Sequence, residues 1–300
     1  MGRGLSQASI LLVGPSGVGK SSTVNHLFRM KEGSINFAKT SSTASETRTT
    51  TEFIIKADDP NFKVKDLKLG LVDTPGFNDT DGMRQDACNF FSIKQFYKKH
   101  PTLGGSCPNL IFVMINADDK RIDGENSNIA KSLKCLMKLN LVDPKHPNVI
   151  GMMTHACHLG GKTKNWTRKF EEKKDIFKKI LFKYLNVAAD VVALENAYGP
   201  EDNDLVVSQS GDYTFLPDDV TLQPRNLYNA CIDLFKANGD MYGQLVFNRV
   251  FCEERNAPTK GHAVDAKNAK TDKLSREEQQ FMDFFLKTAM GKTFKYLPSL

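Results

Sequence analysis

The sequence predicts an α/β fold: a mainly parallel central sheet with helices on both faces, followed by a helical extension at the C-terminal end. Apolar runs of strand length alternate with helix-length periodic segments, the pattern of a parallel sheet covered by crossover helices. Residues 14–21 read Gly-Pro-Ser-Gly-Val-Gly-Lys-Ser, between an apolar run and a helix-like segment. The 300 residues, 40% of them apolar, suffice for one large core plus an appendage.

The elements follow in order. Ile10–Val13 is a short buried strand, and Ser22 to Met30 reads as a helix. Residues 31–50, rich in Ser, Thr and Lys, read as a mobile loop. Thr51–Ala57 and Leu67–Val72 are strands separated by a short polar run, which suits an antiparallel pair. A helix over 83–99 and a buried strand Leu110–Asn116 come next. Ile129, Leu133, Leu136 and Met137 mark one face of another helix. Asn148–Met153 is a strand, Trp166, Phe170, Phe177, Leu181 and Tyr184 stripe a helix, and Val191–Leu194 is the last strand. Residues 199–222 form an acidic, turn-rich insertion. Pro224 opens and Gly239 closes a helix carrying Leu227, Cys231 and Phe235. This places a nucleotide-binding domain at 1–238 and an extension at 239–300. In the extension, 256–273 is a polar, lysine-rich linker, and Ser275 and Glu278 form a capping box before a helix that ends near 290.

The formal net charge of +6 is mild for this length and does not by itself argue for nucleic acid. The longest apolar runs, near 110–115 and 149–153, are far too short to span a bilayer. Six scattered cysteines without a C-x-x-C pair read as reduced thiols in a cytoplasmic protein. The lysine-rich face of 162–183 allows peripheral contact with acidic lipid, although such a run is more commonly a solvated helix face. Met1-Gly2 fits the loose pattern for N-terminal acylation, with little tether before the first strand.

The 14–21 segment is a complete phosphate-binding loop. Gly14, Gly17 and Gly19 let the backbone curl, and the N–H groups of Ser16, Val18 and Ser22 and their neighbours can face a polyphosphate at the helix start. Lys20 would neutralise the β- and γ-oxygens, and Ser21 would ligate Mg²⁺. Asp73-Thr74-Pro75-Gly76, directly after the third strand, adds a carboxylate for Mg²⁺ and a backbone N–H at Gly76 for the γ-phosphate. That spacing from a phosphate loop points to a P-loop NTPase of the G-domain type. A hydroxyl in Ser45–Thr51 could reach Mg²⁺; Thr47 is the candidate, with Thr49 as substitute. The usual guanine reader, [NT]-K-x-D, is absent, and Met153-Thr154-His155-Ala156 stands in its place. Glu195, beside Asn196 after the last strand, can supply the carboxylate that accepts N1–H and N2–H of guanine, with His155 packed on the purine.

The stretches GVGKSSTVNHL (17–27) and DTPGFND (73–79), the Thr-His-Ala strand end and the Glu195-Asn196 pair resemble the AIG-type G domain. That family joins the GTPases of immunity-associated proteins (GIMAP) to the chloroplast import-receptor GTPases and is a cousin of septins. The resemblance covers about residues 8–237. It implies GTP/GDP and Mg²⁺ as ligands, a cytosolic switch, and self-association of G domains across the nucleotide in the GTP state. It also implies that Arg121, next to Lys120, acts in trans on the partner's site; a solvated surface pair is the alternative. Phe77 stands where Ras-like proteins carry a water-orienting Gln, so intrinsic hydrolysis is expected to be slow. Two other readings stand beside this one: a GTP/GDP-dependent oligomeric scaffold with negligible turnover, and an ATPase or kinase that shares only the phosphate loop.

Overall fold

Ala8–Val13 is buried along its whole length, and its alternate side chains serve two different cores. Such two-sided burial is what a central parallel strand requires. The computed structural model describes residues 7–30, 32–40, 47, 49–59, 64–77, 83–103, 107–120, 122–125, 127–143, 145–159, 166–196, 205–207, 213–215, 220–221, 225–252, 258–265, 276, 279, 280 and 283.

In chain order the elements are β1 (Ala8–Val13), α1 (Lys20–Leu27), β2 (Thr49–Asp59), β3 (Val64–Asp73), α2 (Met83–Lys99), β4 (Leu110–Asn116), α3 (Asn128–Lys138), β5 (Val149–Thr154), α4 (Trp166–Leu185) and β6 (Asp190–Ala193). They continue as β7 (Leu205–Val207), β8 (Tyr213–Phe215), β9 (Val220–Thr221), α5 (Arg225–Ala237), α6 (Met241–Cys252) and β10 (Thr259–Asp265). A seven-stranded sheet runs β10-β2-β3-β1-β4-β5-β6. From β3 to β6 the pairs are parallel; β2–β3 and β10–β2 are antiparallel.

The two faces bury separate cores. Phe90 and Phe96 of α2, Leu133 of α3 and Phe177 of α4 cover one face with Leu11 and Val13. Val24 of α1, Leu227 and Phe235 of α5, and Phe247 and Phe251 of α6 cover the other with Ile10 and Leu12. This three-layer arrangement agrees with the expected α/β fold.

The region beyond 238 is helical over α6, as expected, and it packs directly on the rest of the chain. Val246, Phe247 and Val250 of α6 are fully buried or nearly so, and Phe247 packs on Phe235 with ring centroids 5.8 Å apart. At roughly 1.5–3 kcal/mol per buried large apolar side chain, α6 is part of the main core. The expected linker 256–273 contains β10, which pairs with β2 and closes one edge of the sheet. Four of its seven side chains are exposed and no apolar alternation announces it, although Val264 packs on the core and the His262 ring lies 5.1 Å from that of Phe96. Within the 199–222 insertion, β7, β8 and β9 form a separate antiparallel sheet. Of the terminal helix expected to end near 290, positions 276, 279, 280 and 283 are described and are helical. The loop after α1 is pinned at its centre, where Asn25 exchanges two hydrogen bonds with the backbone of Ala38, each 2.8 Å. The acylation motif at Met1-Gly2 lies outside the described residues.

Candidate functional site

The phosphate loop follows β1 and runs straight into α1. Gly17 and Gly19 have φ of 78° and 83°, left-handed backbone that glycine adopts at little cost. Gly19 is the helix N-cap and, lacking a side chain, offers no capping hydrogen bond to the first-turn N–H groups of α1. An uncapped N-terminus presents these donors together with the positive end of the helix dipole, the combination that binds phosphate. Gly14 packs against β4, where a Cβ would meet the Met114 carbonyl at 2.5 Å. Val18 is buried, Ser22 is half-buried in α1, and Lys20 is only 6% exposed. Lys20 Nζ donates to the carbonyls of Gly14 (3.1 Å) and Pro15 (2.9 Å), folding its charge over the loop.

Three oxygen-bearing side chains converge beside it. Ser21 Oγ donates to Asp73 Oδ2 at 2.6 Å, and Thr47 Oγ1 lies 3.0 Å from Ser21 Oγ. Because the single Ser21 proton goes to the carboxylate, Thr47 donates to Ser21. Thr49, the substitute, instead begins β2 opposite Asp265. Asp73 is buried, and its Oδ1 has no hydrogen-bond partner. Burial pushes the Asp73 carboxyl up to about 6, against the lowering effects of the Ser21 bond, the Lys20 charge and the Thr74 N–H. A buried carboxylate with one orphaned oxygen beside two hydroxyls is an all-oxygen donor set, which fits a hard divalent cation such as Mg²⁺. Thr74 Oγ1 donates to the Leu12 carbonyl at 2.7 Å and fastens this strand tip to β1.

The Gly76 loop lies on the phosphate loop. A Cβ on Gly76 would sit 2.5 Å from Ser16 Cα, a close approach that needs glycine. Ser16 N–H donates to the Phe77 carbonyl at 3.0 Å. The Phe77 side chain points into the core and stacks on Phe90 at 3.7 Å between centroids, with the rings 5° from parallel. Residue 77 therefore offers its backbone to the loop and its ring to α2.

On the other side of the phosphate loop, β5 finishes in Thr154, whose Oγ1 lies 2.7 Å from the Val18 carbonyl and 3.1 Å from that of Ile115. His155 follows with φ 52° and is half-buried; its Nε2 lies 3.8 Å from where a Gly19 Cβ would be. Asn196 Nδ2 donates to Thr23 Oγ1 (2.8 Å) and to the Gly19 carbonyl (3.3 Å), while its buried Oδ1 has no partner. Glu195 is 4% exposed. It sits near His26 of α1, whose pKa is lowered chiefly by burial and then by Arg29, against the Glu195 charge and a hydrogen bond to the Asn196 backbone.

The structure thus brings together the candidates on the phosphate loop with Thr47, Asp73 and Gly76, and places His155, Glu195 and Asn196 around Gly19 and α1. Arg121 lies outside the described residues. The chain up to Lys120 is held by Lys173 of α4, whose Nζ donates to the carbonyls of Ala117 and Asp119. Thr154, Thr23 and His26 also shape the site. All three lie within the motif stretches 17–27 and 153–156, but a Thr in a strand or a His in a helix is ordinary, so the sequence assigned them no role of their own.

Residues 9–143 match a protein-family model described as 50S ribosome-binding GTPase. None of the curated proteins matches this sequence. Solved structures resemble it at low identity. One, described as showing that dimerisation is important for the GTPase activity of the chloroplast translocon components atToc33 and psToc159, is 18% identical. It covers 77% of this chain and 83% of that one, with a TM-score of 0.53. A dimerisation-deficient mutant of Toc33 from Arabidopsis thaliana is 15% identical over 79% and 86%, with a TM-score of 0.54. Toc33 from Arabidopsis thaliana in complex with GDP and Mg²⁺ is 17% identical over 79% and 86%, with a TM-score of 0.50. At such identities the likeness shows the fold. This chain has the P-loop GTPase G-domain fold.

Proposed function

We propose that this protein is a Mg²⁺-dependent GTP-binding switch of the AIG type, working in the cytoplasm, with slow GTP hydrolysis that rises when two copies meet. The observation that carries it is the convergence of Ser21, Thr47 and the orphaned carboxylate oxygen of Asp73 beside Lys20, on a G-domain fold. Lys20, the backbone from Gly14 to Ser22 and the N–H of Gly76 bind the phosphates. Ser21, Thr47 and Asp73 hold the metal. A bound Mg²⁺ would neutralise charge building on the phosphate oxygens.

His155, Glu195 and Asn196 read the base. The Glu195 carboxylate accepts guanine's N1–H and N2–H, which adenine lacks. The AIG-type assignment rests on the 17–27 and 73–79 motifs with the Thr-His-Ala and Glu-Asn pairs. Self-association across the nucleotide, with Arg121 acting on the partner's phosphates, is supported by the reported importance of dimerisation in atToc33 and psToc159. The nucleotide-binding domain of 1–238 is completed by α6 and β10 from the 239–300 region, and peripheral lipid contact is available to the basic α4.

The test is competition of GTP and ATP for a fluorescent guanine nucleotide, with and without Mg²⁺. GTP is expected to win by at least about tenfold, only with Mg²⁺ present; equal competition overturns the reading. Turnover per molecule is expected to rise with protein concentration, and Arg121→Ala to flatten that rise.

A second reading has its own support. Phe77 buries its ring against Phe90 and leaves the phosphates without a water-orienting side chain at that position. This favours a nucleotide-dependent scaffold with negligible turnover, and single-turnover hydrolysis of the wild type beside Ser21→Asn separates the two.

A further inference from the structure

A buried polar path runs through α2 from the Gly76 loop to the start of β2. Asn89 Nδ2 donates to the Gly76 carbonyl at 2.9 Å, and Gln85 Nε2 donates to Asn89 Oδ1 at 2.9 Å, orienting the amide. Ser92 Oγ donates to the Asn89 carbonyl at 2.7 Å, and Thr50 Oγ1 lies 2.7 Å from Ser92 Oγ. A hydroxyl carries one proton, and that of Ser92 is committed to Asn89, so Thr50 donates to Ser92. Thr50, Ser92 and Asn89 are 0%, 1% and 4% exposed, among Phe90, Phe91 and Ile93. Polar groups in such a core are costly unless bonded, and a fully bonded set fixes one arrangement of the elements it joins.

The ends of the path lie at the site. Gly76 rests on Ser16 of the phosphate loop. Thr50 lies three residues after Thr47, which bonds Ser21, and the next residue, Thr51, pairs with Asp73 across β2 and β3.

We propose that Asn89, Ser92 and Thr50 are positioning residues that make the Thr47 and Gly76 segments respond to the γ-phosphate as one unit. The proposal rests on the reading of those segments as triphosphate sensors. The part that moves is α2, a 17-residue helix fastened to both segments. A shift of either segment would displace the helix as a body and so bias the other through these hydrogen bonds. None of the three is among the residues assigned to the nucleotide, and all three are buried.

The test uses the full chain. Thr50→Val keeps the side-chain shape, removes the donor and leaves Ser92 bonded to Asn89; Thr50→Ser keeps the hydroxyl. Hydrogen–deuterium exchange is followed at 49–52 and 74–77, without nucleotide and with Mg²⁺ and a non-hydrolysable GTP analogue. The ratio of analogue to GDP affinity is measured alongside. In the wild type both segments should gain protection together on adding the analogue. In Thr50→Val, 74–77 should exchange faster without nucleotide, and the ratio should fall roughly two- to tenfold, the worth of one neutral hydrogen bond.

Thr50→Ser should restore both. General destabilisation would weaken analogue and GDP alike and leave the ratio unchanged. Ser92→Ala, which suits a helix interior, gives the same readout if Thr50→Val does not fold. Wild-type exchange at 74–77 in Thr50→Val, or in Ser92→Ala if that variant is the one read, overturns the relay. A wild type that binds no guanine nucleotide instead overturns the switch reading, and the nucleotide-free exchange still decides whether the path couples the segments.

Discussion

At the phosphate end of the site, Ser21 of α1 meets Asp73 of β3 at 2.6 Å and Thr47 at 3.0 Å, and Lys20 closes on the loop's own carbonyls. At the other end Asn196 straps its loop to Thr23 and Gly19, and His155 adopts a left-handed backbone beside Gly19. One end is a convergence of separate segments on a single point. The other is a loop laid against a helix. The contrast suits the proposed ligand, because a polyphosphate demands many converging donors whereas the N1–H and N2–H edge of guanine demands acceptors and its ring a flat surface. Affinity should therefore reside in the first region and selectivity in the second.

The largest effects test that division directly. Lys20→Ala removes a charged donor from a buried site, and charge-assisted hydrogen bonds contribute roughly 1.5–3 kcal/mol each. GTP and ATP affinity are both expected to fall about 100-fold, with the ratio between them unchanged, as read by competition against a fluorescent nucleotide. Glu195→Gln should do the reverse. GTP affinity is expected to fall about tenfold while ATP affinity holds. A Glu195→Gln protein that keeps its guanine preference places the base reader elsewhere.

The same division governs what could be read from the amino acids. Gly17, Gly19, Lys20, Ser21 and Asp73 sit at spacings that backbone geometry imposes on any strand–loop–helix phosphate site, so the motif and the fold were legible together. A carboxylate that reads a base can come from more than one loop, so Glu195 could be placed only by its position after the last strand. The sequence already favours Thr47 over Thr49; the Thr47 hydroxyl lies 3.0 Å from Ser21 Oγ, while Thr49 begins β2. The strand Thr259–Asp265 was invisible because it lies at a sheet edge with mostly exposed side chains and pairs through its backbone. In α6, by contrast, Val246, Phe247, Val250 and Phe251 do carry helical spacing. That signal lies past the point where the motif resemblance ends, and its contacts, Phe247 with Phe235 and Phe251 with Phe28 among them, show that it belongs to the same core.

The buried carboxylate sharpens the comparison through pH. Asp73 keeps its proton up to about 6 in the folded chain, against an ordinary value of 3.8, because burial penalises its charge. Between those values the folded state binds more protons than the unfolded state, so this group lowers stability as pH rises through the window and leaves a constant deficit above it. Metal binding needs the ionised form and releases the proton. The nucleotide-free, metal-free Tm of the wild type should decline relative to Asp73→Asn between about pH 4 and pH 6, and Mg²⁺ affinity should weaken below about pH 6. A difference curve that stays flat would show that the carboxyl titrates normally and is not desolvated.

The smallest expected effect lies at the join between the two regions. Thr154 ends β5, and its hydroxyl faces the Val18 carbonyl of the phosphate loop and the Ile115 carbonyl of β4. The adjoining His155 is a candidate base contact, so one side chain ties the register of the base strand to that of the phosphate loop. Thr154→Val keeps the volume and removes the donor in a fully buried position. The loss should be about 1–2 kcal/mol of stability and roughly fivefold in nucleotide affinity. If the regions are as separable as their construction implies, the preference for GTP over ATP should stay within about twofold of wild type. A collapse of that preference, as large as the one expected for Glu195→Gln, would mean that the phosphate loop and the base loop are one mechanical unit and that Thr154 is its hinge pin.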